Sequence, residues 1–136
     1  MSAHRFDLRV YYEDTDLAGI VYYANYLKFI ERGRSEYLRD LGVDQGALKA
    51  EAGLVFAVRR VEADYLIPAK FDDHLSVTTQ VAEVSGARIT LDQAVLRGAE
   101  VLFSARVTIV CLSDTGRPAR VPPEVRTAFE ATAKTR

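Results

Sequence analysis

Residues 4 to 12, HRFDLRVYY, alternate in character, with Phe6, Leu8 and Val10 on one side and Asp7, Arg9 and Tyr11 on the other. That is the period of a strand with one buried face. From Tyr23 to Gly42 the period lengthens: Tyr26, Ile30, Gly33, Tyr37 and Leu41 recur every three or four residues, and Leu27 and Leu38 widen the stripe. The spacing predicts one long amphipathic helix, stopped at Gly42. Gly33 lies inside the apolar stripe, where it costs about 1 kcal/mol of helix stability relative to alanine. A close approach of sheet backbone would account for it, and a simple bend is the alternative. Beyond a polar connection through Gly46 and Gly53, four strand-like runs follow, over 54–67, 74–85, 88–97 and 100–112, set apart by Pro68 and by the turns SGA and RGA. They read as an antiparallel meander, with the greasiest run, VLFSARVTIVCL, central. A short helix is expected over 123–134.

One strand, one long helix and several antiparallel strands make an α+β chain in which a helix stripe and a sheet face bury each other. Long strands joined by tight turns leave an open sheet edge, so a homo-oligomer is expected. The length of 136 residues with 49% apolar side chains fits a single domain, 1–136. Charge is nearly balanced, 18 basic against 19 acidic residues, without a basic arm, which excludes nucleic acid as a default partner. One cysteine, Cys111, and two histidines, His4 and His74, cannot assemble a disulfide framework or a Cys/His zinc site in one chain. No apolar run approaches the roughly 18 residues of a spanning helix, so no stable membrane insertion is expected and the cytoplasm is the expected location.

The candidate chemistry lies in EDTDLAGIVYYANY, residues 13 to 26, where two carboxylates precede the helix. The helix opens among Ile20, Val21, Tyr22 and Tyr23 without a Ser, Thr or Asp cap, so its first N–H groups are expected to be free for an anion or a developing oxyanion. Gly19 suits a tight turn beside them. An aspartate facing the same space would act as base or nucleophile next to an oxyanion hole, an arrangement suited to acyl transfer. The rival reading has Asp16 merely capping those amides. A calcium loop is disfavoured because Ala18 stands where an oxygen ligand belongs and Asn25 replaces the closing bidentate Glu. His74 reads as a surface residue of a polar turn and Cys111 as a buried thiol.

The run YYEDTDLAGIVYYANYLKFIERGRSEYLRDLG, residues 11 to 42, continued by FAVRRVEADYLIPAKFDD, resembles the hotdog-fold acyl-CoA thioesterases of the 4-hydroxybenzoyl-CoA thioesterase family, and within it the YbgC-type, Tol-Pal-associated members. The resemblance implies a hotdog fold, a long helix wrapped by an antiparallel sheet of about five strands that continues across a dimer or tetramer. It also implies an acyl-CoA or acyl-carrier-protein thioester as substrate, and no cofactor or metal. Position by position it makes Asp16 the catalytic carboxylate and Tyr23 the residue whose backbone N–H polarises the carbonyl. Tyr12, Gly19 and Val21 then shape the site. Many YbgC-type members carry histidine where this chain has Tyr23. Coenzyme A phosphates call for cations, with Arg59 and Arg88 as candidates beside Arg60 and Arg117. A noncatalytic module that binds acyl carriers, including one serving an envelope or lipid-synthesis complex, is the alternative.

Overall fold

The computed structural model describes residues 3–133. Strand β1 (His4–Arg9) leads through a 3₁₀ turn (Tyr12–Asp14) to helix α1 (Asn25–Asp40). A short helix α2 (Gln45–Ala47) and a π-helical turn (Leu48–Ala52) precede β2 (Val55–Tyr65). Strands β3 (His74–Ser85), β4 (Arg88–Arg97) and β5 (Glu100–Leu112) and helix α3 (Pro123–Ala131) complete the described chain; residue 134, the expected end of α3, lies outside the described residues.

The five strands form one antiparallel sheet in the order β1-β3-β4-β5-β2. The expected meander holds for β3, β4 and β5, where tight Gly86 and Gly98 turns at positive φ reverse the chain. It fails for β2, which crosses to the far side and pairs with β5. The middle strand is therefore β4, and the greasier β5 is interior, between β4 and β2. Strand β1 ends at Arg9, earlier than its alternation suggests. Val10 instead exchanges backbone bonds with the 72–73 loop, its N–H to Asp73 and its carbonyl from Asp72.

Helix α1 packs on β1, β3 and β4 through Tyr26, Phe29, Ile30, Gly33, Tyr37 and Leu38. Burying each of the larger of these side chains stabilises by roughly 1.5–3 kcal/mol. Gly33 meets the sheet: a Cβ built on it would stand 2.5 Å from Val77 Cγ1. The close approach anticipated from the sequence is present, with a side chain of β3 rather than its backbone as the neighbour. One buried polar residue also links the layers. Gln93 of β4 donates to the Ile30 carbonyl and to Thr79 Oγ1, both at 2.9 Å, and accepts from Arg34 Nη1 at 3.1 Å. Its amide is thereby satisfied inside an apolar core, as burial of a polar group requires. At the other end of the molecule Phe129 of α3 closes the core against Tyr37 and Phe56. Cys111 is fully buried and burial pushes its thiol pKa up, whereas His74 is exposed beside Arg9.

Candidate active site

Residues 14–22 form a narrow loop folded back on itself. Asp14 carbonyl accepts from Tyr22 N–H at 2.8 Å, Thr15 bridges Val21, and Asp16 N–H reaches the Ile20 carbonyl at 3.0 Å. Gly19 closes the tip at φ +81°, donating to the Asp16 carbonyl at 2.9 Å; only glycine adopts that conformation without strain. The loop is held to the body at two points. Val21 donates to the Ala69 carbonyl at 2.9 Å and Ile20 bridges Lys70. Its base is clamped by Asp14, only 4% exposed, whose two carboxylate oxygens accept from Tyr11 N–H and Asn25 Nδ2, each at 2.8 Å. The first acid of the pair is thus structural.

The second acid is different. Asp16 is exposed; its Oδ1 accepts from Ala18 N–H at 3.0 Å, and Oδ2 has no intrachain partner among the described residues. It does not cap α1. The helix starts at Asn25, two residues later than its pattern suggests, because the Tyr22–Asn25 turn comes first: Asn25, Tyr26 and Leu27 donate to the carbonyls of Tyr22, Tyr23 and Ala24. Those three amides are not free, contrary to the expectation of open groups throughout the first turn. The N–H groups of Tyr23 and Ala24, just ahead of them, have no intrachain partner among the described residues. They carry the partial positive charge of a helix N-terminus.

Beside these amides lies a cleft of about 280 Å³, lined by Ile20, Val21, Tyr23, Tyr26 and the segment Tyr65 to Pro68. Tyr26 and Phe103 stack behind it at 4.9 Å, and Tyr65 meets both rings edge-on. The Tyr26 hydroxyl accepts from Ala69 N–H at 3.0 Å, and burial raises its pKa. Of the residues expected at the site, Tyr23 and Val21 line the cleft, and Gly19 and Asp16 belong to the loop at its rim, Asp16 being paired with the cleft residue Ile20. Tyr12 stands outside, 79% exposed and stacked on Phe71 at 4.3 Å. Arg59 and Arg88 are not brought to the cleft within one chain. Arg59 is the bulge residue of β2, six positions before Tyr65, and Arg88 opens β4 at the end of the sheet remote from Val95 and Phe103.

Sequence reasoning missed Tyr65 and Lys70. Lys70 is exposed, and its bridge to Ile20 sets it against the loop. The available signal for Tyr65 was an aromatic followed by Leu-Ile-Pro at a strand end, an apolar segment with no further strand to join.

Residues 10–129 match the model of the thioesterase-like superfamily. The chain belongs to that superfamily. Among its relatives, the acyl-CoA thioesterase YbgC of Haemophilus influenzae is 47% identical over 91% of this chain and 92% of its own. The acyl-CoA thioester hydrolase YbgC of Escherichia coli O6:H1 is 36% identical over 93% of this chain and 95% of its own. A crystal structure of a probable thioesterase from Bartonella henselae superposes with a TM-score of 0.86 at 41% identity, covering 89% of this chain and all of that one. The five-stranded sheet with α1 laid on it is accordingly the hotdog fold of these thioesterases.

Proposed function

We propose that residues 1–136 act as a single hotdog domain that hydrolyses acyl-CoA thioesters to the free acid and the thiol. The observation that carries the reading is the pair of unpartnered amides, Tyr23 N–H and Ala24 N–H, opening α1 beside a largely apolar cleft whose lining includes Tyr23. The thioester carbonyl oxygen accepts from these two groups and the acyl chain enters the cleft. Charge that builds on the oxygen during attack is met by fixed dipoles, an effect for which one donor is typically worth about 2.7–4 kcal/mol of barrier. Asp16 either attacks the carbonyl carbon, giving a mixed anhydride that water then opens, or takes a proton from the attacking water. In both routes the C–S bond breaks and the thiolate leaves with the electron pair. Neither route uses a metal or cofactor.

A purified-protein screen of short, long and aromatic acyl-CoA esters tests the reading, with acyl-pantetheine and acyl carrier protein thioesters in parallel. Thiol release is the expected result, and faster turnover of acyl-CoA than of acyl-pantetheine would reveal cation contacts to the nucleotide phosphates. Binding without thiol release favours the second reading, a noncatalytic module for acyl-CoA or an acyl carrier in a lipid- or envelope-associated complex. The exposure of Asp16 outside the cleft lining is what supports that alternative. A location in the cytoplasm, where acyl-CoA is available, is part of the proposal and cell fractionation checks it; no helix among the described residues is long and apolar enough to cross a membrane.

The working form is a homodimer, or a tetramer of such dimers, joined through β2. This edge is 11 residues long against six for β1, and it exposes Val58 and Val61. A long edge with unpaired backbone groups is a template for pairing with another strand. In sedimentation equilibrium the protein runs as a dimer or tetramer, and Val61→Glu moves it toward monomer with loss of hydrolysis. A wild-type monomer of full activity would remove β2 pairing from the account.

A further inference from the structure

The two free amides belong to two successive peptide units, and what each unit does on its carbonyl side decides where its N–H points. A trans peptide is a rigid plane with N–H and C=O on opposite sides. The unit carrying Tyr23 N–H is fixed by its Tyr22 carbonyl, which accepts from Asn25 N–H at 2.8 Å. The unit carrying Ala24 N–H is less well held by the helix: its Tyr23 carbonyl accepts from Tyr26 N–H only at 3.4 Å. The shorter bond on that carbonyl comes from outside the helix, where Tyr65 Oη–H donates to it at 3.0 Å.

The geometry points to Tyr65 as a positioning residue for the oxyanion hole, acting through the Tyr23–Ala24 peptide. The inference rests on the thioesterase reading and adds to it a group that need not touch the reacting atoms. A donor on the carbonyl side draws electron density toward that oxygen and makes the opposite N–H a stronger donor, an increment of about 10–30% per bond in a chain of hydrogen bonds. It also holds the plane of the unit so that Ala24 N–H need not reorient as charge develops. The hydroxyl is itself well placed for this. Tyr65 is the last residue of β2, opposite Phe103 of β5, and its ring is gripped edge-on by Phe103 at 5.0 Å, Tyr26 at 5.4 Å and Tyr23 at 6.2 Å. Partial burial, reinforced by the neighbouring Tyr23 and Tyr26, raises its pKa, so the proton it donates is retained. The sheet end thereby reaches across the cleft to tune the helix start, and two elements far apart in sequence set one donor.

Tyr65→Phe keeps the ring and deletes the donor. Its single-turnover rate of thioester hydrolysis falls about five- to tenfold with KM within about twofold, the size of one lost hydrogen bond felt mainly in the transition state. Replacement by 3-fluorotyrosine, which keeps a donor hydroxyl on the same ring, leaves the rate within about twofold of wild type. A Phe variant as fast as wild type, or a fluorotyrosine variant as slow as Phe, overturns the inference: the first shows that the hydroxyl is idle and the second that only packing is involved. Wild-type protein that releases no thiol from any ester overturns the thioesterase reading itself, a result distinct from either.

Discussion

Asp16→Asn is expected to lower the single-turnover rate of acyl-CoA hydrolysis at least about a hundredfold, the lower bound for a positioned general base. The substitution is nearly isosteric, and the amide oxygen still accepts from Ala18 N–H, the one intrachain bond that the Asp16 carboxylate makes among the described residues. The loop tip is governed instead by the Gly19 turn and by the pairing of Thr15 with Val21, so thermal unfolding and substrate affinity should be unchanged. What is lost is the negative charge, which both the nucleophilic and the general-base routes require. If the nucleophilic route operates, the loss is larger, and a labelled-oxygen experiment separates the two. When the carboxylate attacks and water opens the anhydride at the Asp16 carboxyl carbon, a single turnover places solvent ¹⁸O in the enzyme, an outcome that activation of water cannot give. Hydrolysis by the Asn variant at near wild-type rate would reduce Asp16 to a turn residue and leave the amides without a catalytic partner.

The second large effect concerns folding. Gly33→Leu should destabilise the protein by about 3 kcal/mol or more, since overpacking alone typically costs 1–3 kcal/mol. The first added atom would already stand 2.5 Å from Val77 Cγ1 and 3.0 Å from its Cβ, and Val77 is completely buried with nowhere to retreat. Relief would require lifting α1 off β3. Gly33→Ala is the milder case, because a better helix propensity of about 1 kcal/mol offsets part of the clash. Urea denaturation, read as a shift in midpoint at constant slope, measures both. A leucine variant as stable as wild type would mean that the layers separate without cost, contrary to the close contact observed.

Legibility in the sequence followed the range of the interaction. The helix stripe and the alternation of β3, β4 and β5 are local patterns, and the boundaries 74–85, 88–97 and 100–112 coincide with the strands. The ends of elements depended on hydrogen bonds that periodicity does not encode. Val10 continues the alternation of β1 but bonds to a loop more than sixty residues away, and the Tyr22–Asn25 turn delays α1. The crossover of β2 to the far edge was invisible because any alternating strand could pair with any other. At the site, the loop carrying Asp16 and Gly19 was legible as a compact motif. Tyr65 was not, since its value arises from a bond to a carbonyl 42 residues earlier, and the residue type that marks Arg88 as a phosphate contact carries no information on which end of the sheet it occupies.

Gln93 carries a consequence for how the geometry of the cleft is kept. Sliding α1 by a single residue shifts it by about 1.5 Å along its axis. That step would pull the Ile30 carbonyl and the Arg34 guanidinium away from the Gln93 amide together, leaving only its bond to Thr79 and a buried carbonyl oxygen without a partner, at a cost of roughly 1–3 kcal/mol. The helix is therefore indexed against β4 like a bolt in a keyed slot, and the distance from its opening peptides to the end of the sheet is set deep in the interior by a side chain that is not part of the cleft lining.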